Sequence, residues 1–170
     1  GLDSLLNVFD PRAPRDEILV ATHSVESPVA RVGIINRKFL YAVTDDNKWA
    51  AYKVTAKDDV DVLFTGRKAT KEHFIVDIVA SGRQDYPFLI VECDVTGKLW
   101  AVGVDEKGKN SELLHSWPLA HSAFVRCAAV VGDVLWTGAE DGKVFGFRLS
   151  AEGAGGKWQA EKKTNRPTPY

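Results

Sequence analysis

The sequence contains no methionine and only two cysteines, and its 22 basic and 23 acidic residues leave a formal charge of −1. Balanced charge gives no global attraction to nucleic acid or to an anionic membrane surface. No apolar run approaches the ~18 residues a membrane-spanning helix needs, and no segment sustains a helical period of apolar residues. Residues 1–15 have no basic start leading into an apolar stretch, so no secretory leader is expected. A chain that opens on Gly1 and lacks methionine is expected to be part of a longer or processed protein. Cys93 and Cys127 both fall in apolar, strand-like runs. Two buried free thiols, in an intracellular protein of the nucleus or cytoplasm, are expected rather than a disulfide.

What is present is a succession of short β-branched and aromatic runs, separated by turns. The stretch His121–Leu149 reads HSAFVRCAAVVGDVLWTGAEDGKVFGFRL. Its runs Val125–Val131, Val134–Thr137 and Lys143–Leu149, split by a Gly-Asp and an Asp-Gly turn, predict an antiparallel meander. The turn and the strand after it recur as Leu2–Asp10, Asp45–Val54, Val95–Val104 and Glu140–Leu149, with Asp3, Asp46, Thr96 and Asp141 in the same place. Their spacing clusters near the ~40–45 residues of one four-stranded propeller blade. The longer middle interval points to a loop insertion over 82–87. The predicted organisation is a lone strand at 4–10, blades at 16–55, 58–105 and 111–150, and a polar, flexible tail at 151–170. The fold class is therefore all-β, a segment of about three four-stranded blades plus one strand of a fourth. Closed propellers hold ~4–8 blades, so the segment is expected to belong to a larger ring. A sandwich or barrel would explain the strands but not the repeating turn.

These residues resemble the WD-repeat family. The last repeat carries His121, Thr137 and Asp141, with Phe147 where tryptophan is usual. The first full repeat carries Thr44, Asp46 and Tyr52, with Ser27 near the histidine position. The middle repeat keeps only Cys93, Thr96 and Val102. The resemblance implies that His121, Thr137, Asp141, Thr44 and Asp46 form hydrogen-bonded networks inside blades. It also implies a non-enzymatic interaction scaffold in a multiprotein complex. Phe9-Asp10-Pro11-Arg12 resembles the box by which some such proteins dock on the adaptor of cullin-4 ubiquitin ligases. Asp10 and Arg12 would then contact that adaptor, in a substrate-receptor-type subunit. The plainer alternative is an Asp10-capped turn begun by Pro11, with Arg12 a solvated charge.

Blade geometry places Pro28, Asp45, His73, Phe74, Phe124 and Glu140 at one end of the sheets, an expected partner surface. Phe74 and Phe124 could equally plug the core between blades. Little chemistry is expected beyond this. His23, His73, His115 and His121 lack metal-ligand spacing. No nucleophile elbow or phosphate loop occurs, and Asp46 and Asp141 have turn roles available to them. No catalytic residue, metal or cofactor is expected. Protein partners are expected, together with remaining blades from another chain or from elsewhere in a parent protein. Two rival readings remain. One is an RNA- or ribosome-precursor-associated assembly factor binding through Arg31, Arg126 and the basic tail. The other is a hydrolase or lyase using the central channel, where Arg31, Asp77 and Arg126 would lie.

Overall fold

The computed structural model describes residues 2–54, 60–67 and 72–149. The expected tail at 151–170 lies outside them. Thirteen strands and no helix are formed among the described residues. They are β1 (Leu5–Phe9), β2 (Leu19–Ser24), β3 (Val29–Ile35), β4 (Phe39–Thr44), β5 (Lys48–Val54), β6 (Val60–Arg67), β7 (Phe74–Ala80), β8 (Phe88–Cys93), β9 (Leu99–Val104), β10 (Ser111–Trp117), β11 (Val125–Val131), β12 (Val134–Ala139) and β13 (Val144–Arg148). They pair antiparallel in chain order into four sheets: β1–β2, β3–β6, β7–β10 and β11–β13.

The turns explain why the strands fold back where they do. Ser4, Asn47, Gly97 and Gly142 all adopt positive φ, between 58° and 85°, each one residue after Asp3, Asp46, Thr96 or Asp141. Gly is at ease in that left-handed region and Asn tolerates it. In the last three turns the backbone N–H of this residue donates to the carbonyl three residues back, on Thr44, Asp94 or Ala139. The first strand of each larger sheet is irregular near its start. Register shifts fall between Val29 and Arg31, Ile75 and Asp77, and Val125 and Cys127. The loop over 82–87 joins β7 to β8, with Ser81 N–H donating to the Pro87 carbonyl.

Three apolar layers lie between the four sheets. Leu6, Val25, Ala42, Ala50 and Tyr52 join the first sheet to the second. Phe39, Tyr41, Trp49, Ile78, Phe88 and Ile90 join the second to the third. Val76, Leu89, Leu99, Trp117, Val125 and Leu135 join the third to the fourth. β7 packs against both β3 and β11, so the opening strand of each larger sheet lies on the inside of the array. Links between neighbouring sheets put equivalent loops at one end. Ile75 N–H donates to Asn47 Oδ1 at 3.1 Å, and His121 N–H donates to the Gly97 carbonyl at 3.1 Å.

Three expectations need correcting. The strand at 4–10 is not alone, because β1 pairs with β2 along its length. The strand that opens each sequence repeat belongs to the preceding sheet, so the sheets are offset by one strand from blades drawn at 16–55, 58–105 and 111–150. The strands therefore divide as two, four, four and three. Connection length does not set the partner: β2 pairs back to β1 across residues 10–18, although only residues 25–28 separate it from β3. Finally, Cys93 is buried as expected but Cys127 is exposed, and both thiols are free. Cys127 sits on β11, in the last of the sheets formed by the described residues.

Candidate functional site

The most organised polar cluster closes the fourth sheet. His121 lies in the loop before β11, Thr137 on β12 and Asp141 in the β12–β13 turn. Asp141 faces His121 Nδ1 at 3.2 Å, and Thr137 Oγ1 faces Nε2 at 2.9 Å. An ionised Asp141 only accepts, so Nδ1–H donates to it, and Nε2 is hydrogen-bonded to the Thr137 hydroxyl. Asp141 also accepts the backbone N–H groups of Ser122 and Lys143, at 3.1 and 3.0 Å. Burial would raise its pKa, but these N–H bonds and the His121 ring outweigh that and bring the carboxyl down to about 2. His121 and Thr137 are buried. The three groups are used up on one another and on the turn.

The second sheet solves the same problem differently. Asp46 accepts from Thr44 Oγ1 at 2.6 Å and Ser27 Oγ at 3.1 Å, and pairs with Lys48 Nζ at 2.9 Å. The Thr44 bond first, then Lys48, holds its carboxyl down to about 2. Thr44 is nevertheless not the counterpart of Thr137. Turn bonding aligns Thr44 with Ala139, and Ala42 with Thr137. The third sheet places Glu92 at that same level. Its carboxylate, almost fully buried, lies 3.2 Å from His73 Nδ1, and burial pushes its pKa up against the pull of the His73 ring. His73 also stacks on Trp100, with ring centroids 3.9 Å apart. His73, expected on a partner surface, is thus engaged in an internal pair.

The remaining surface residues separate into two ends. Asp45, Phe124 and Glu140 lie at the His121 end. Asp45 is exposed, and its N–H donates to the Pro28 carbonyl at 2.9 Å. Phe124 is half-buried and meets Phe74 edge to face at 5.1 Å, within the layer between the third and fourth sheets. Glu140 binds the Arg126 guanidinium at 2.9 Å through Nε and 2.5 Å through an Nη. Along the inner strands, Asp77 accepts from Tyr41 of β4 at 2.7 Å and lies 3.9 Å from Arg31, and Arg31 donates to the Arg126 carbonyl. Asp10 and Arg12 sit at the opposite end, after β1. Asp10 Oδ1 accepts the Arg12 N–H at 2.9 Å and Arg12 Nε at 3.3 Å, while the Arg12 side chain is 89% exposed. The structure therefore does not bring Asp10 and Arg12 together with the other candidates. Among the described residues, no three His, Cys, Asp or Glu side chains gather as a metal site would require.

No protein-family model matches the sequence, and no curated protein does. Solved structures do. The β-propeller domain of Cps50 (Swd1) from Myceliophteria thermophila aligns with a TM-score of 0.68 at 9% identity, over 88% of this chain and 48% of its own. A candidate 6-phosphogluconolactonase from Bacteroides fragilis gives 0.64 at 17% identity, over 94% and 48%. The WD40 domain of SCAP from fission yeast gives 0.59 at 13% identity, over 98% and 38%. Identities this low establish the fold alone, and the fold is that of a β-propeller. The chain spans between 38% and 48% of the length of these three structures.

Proposed function

We propose that this chain is part of a WD-repeat propeller acting as a protein-interaction scaffold. One observation carries the proposal: the polar residues that could have formed a reactive centre, His121, Thr137 and Asp141, are consumed in tying a turn to its sheet. What remains available to other molecules is rim and loop surface, the surface from which interaction modules recognise partners. The order of features also resembles the small WD-repeat protein eighty-nine, in SLLNVFD (Ser4–Asp10), KWAAYKV (Lys48–Val54), and AHSAFVRCAAV and LWTGAEDGKV within Ala120–Val144. An intracellular setting, nucleus or cytoplasm, goes with this reading.

The finer proposal is a substrate-receptor subunit of a cullin-4 ligase docking through Asp10 and Arg12. Supporting it is the placement of Arg12 on the end opposite the His121 network, with an exposed guanidinium free to turn from Asp10 to a carboxylate or carbonyl of an adaptor. Charge reversal, Arg12→Glu, should abolish binding of the purified adaptor in a pull-down while leaving the melting temperature unchanged. Undiminished capture by that variant would remove the adaptor from the account and leave the scaffold.

A second reading, hydrolysis, has a single observation behind it, the likeness to the Bacteroides candidate lactonase. Turnover of 6-phosphogluconolactone above the spontaneous rate would favour it over the scaffold.

A further inference from the structure

At the start of β11, register slips between Val125 and Cys127, and Arg126 is the residue passed over. Such a bulge re-aims the side chain it carries. Arg126 lies with its guanidinium carbon 4.6 Å from the centre of the Phe124 ring, while Glu140 grips the same group through Nε and an Nη. The backbone fixes the two holders together, because Glu140 N–H donates to the Phe124 carbonyl at 3.0 Å. Phe124 is itself braced by Phe74. An aromatic face beside a carboxylate is a guanidinium site, and the protein's own Arg126 shows what chemistry it takes.

We propose that Phe124 and Glu140 form a docking site for an arginine side chain of a peptide partner, with Arg126 as the internal occupant it displaces and exposed Leu119 and Val95 as the apolar anchor beside it. This deepens the scaffold reading and rests on it. Displacement is easy because both sides of the Arg126–Glu140 pair are solvent-exposed, and exposed pairs add little stability. The apolar anchor supplies what Arg126 cannot. Leu119 is 92% and Val95 67% exposed at this end. Their loops are joined by the His121–Gly97 backbone bond. Of the other cationic side chains at this end, Arg31 is engaged with Asp77 and the Arg126 carbonyl, Lys48 with Asp46 and Lys98 over Trp100, while Lys143 is exposed. With the Glu140 carboxylate and the Phe124 face forming the site, an arginine flanked by leucine fits it better than an acidic segment.

The test is fluorescence polarisation of the full chain with a labelled Gly-Leu-Arg-Leu-Gly peptide and its counterpart carrying glutamate for arginine. The arginine peptide should bind at least ~10-fold more tightly. Arg126→Ala should tighten it by about 3-fold, since the competitor is gone, and Glu140→Gln should weaken it by about 3-fold, both within the range of an exposed ion pair. A purely structural role for Arg126 would not produce tighter binding on its removal. Thermal melts confirm that each variant is folded, and Phe124→Leu, which keeps an apolar contact with Phe74, gives a second weakened variant. Preference for the glutamate peptide overturns the proposal, as does displacement of the arginine peptide by a short RNA. Arginine-peptide binding that neither Arg126→Ala nor Glu140→Gln alters overturns it too, but leaves the scaffold reading standing on another surface. Absence of binding by either peptide overturns the docking site and leaves the scaffold reading to be tested on another surface.

Discussion

Thr137 is the smallest group on which the fourth sheet depends. Its hydroxyl is buried and has one side-chain partner, His121 Nε2. Thr137→Val keeps the volume and strands that nitrogen, which costs about 1–3 kcal/mol for a buried unsatisfied group. At this chain length that lowers Tm by roughly 2–4 °C per kcal/mol, readable in a thermal melt. The carboxylates set the pH profile. Asp46 and Asp141 have folded pKa values of about 2, below their ordinary value, so the stability they add is present above pH ~4 and is lost as pH falls toward 2. Glu92 runs the other way: its raised pKa adds stability that is full below its ordinary value near 4.5 and lost as pH rises through the folded value. Melting temperature should rise between pH 2 and 4 and then lose the Glu92 share above 4.5. Glu92→Gln should remove that second, falling limb, and a fall of the same size in the variant would contradict the assignment. His121, Thr137 and Asp141 were legible in the sequence only through the resemblance of the last repeat to WD repeats, which implies such a network. Glu92 was not, because it stands in a strand whose every residue is buried, and a carboxylate among apolar neighbours carries no local sign of which histidine will reach it.

Turns rather than strands hold the elements in register. Gly97 adopts a φ of 85°, and a Cβ placed there would lie 2.6 Å from the Ala123 carbonyl oxygen and 2.7 Å from the His121 carbonyl carbon. Both the backbone conformation and the close approach of the His121 loop exclude a side chain. Gly97→Ala should therefore loosen the junction of the third and fourth sheets, with faster amide exchange at His121 and Val125 than at Ala42 in the second sheet. Uniform exchange across the sheets would show that the junction tolerates the change. Strand positions and turn residues were readable from alternation, β-branching and the Asp-Gly signal, as with β12 and β13. The assignment of strands to sheets was not, because β2 has the same composition whether it pairs back to β1 or forward to β3. The shifts at the starts of β3, β7 and β11 were likewise invisible, since one passed-over residue leaves composition unchanged. Arg126 owes its position to such a shift, so the Phe124–Arg126–Glu140 contact emerged only from the fold.

At the scale of the whole molecule, the four described sheets form part of a ring and not a closed body. The fourth sheet has three described strands where its neighbours have four, and the first has two. Val131 and Val144 of the fourth sheet are each 67% exposed, and Leu5, Phe9 and Leu19 of the first sheet are exposed too. Apolar sheet faces and open strand edges associate with other β-structure. A repeat period fixed the number of strands in the sequence, but no local pattern says where a ring is completed, because closure is a property of the first and last sheets together. Sedimentation velocity of the purified 18.7 kDa chain at micromolar concentration tests this most directly. The account predicts a concentration-dependent distribution of larger species that shifts toward the monomer when Val144 is replaced by lysine. A single monomeric species of this mass at every concentration would contradict it.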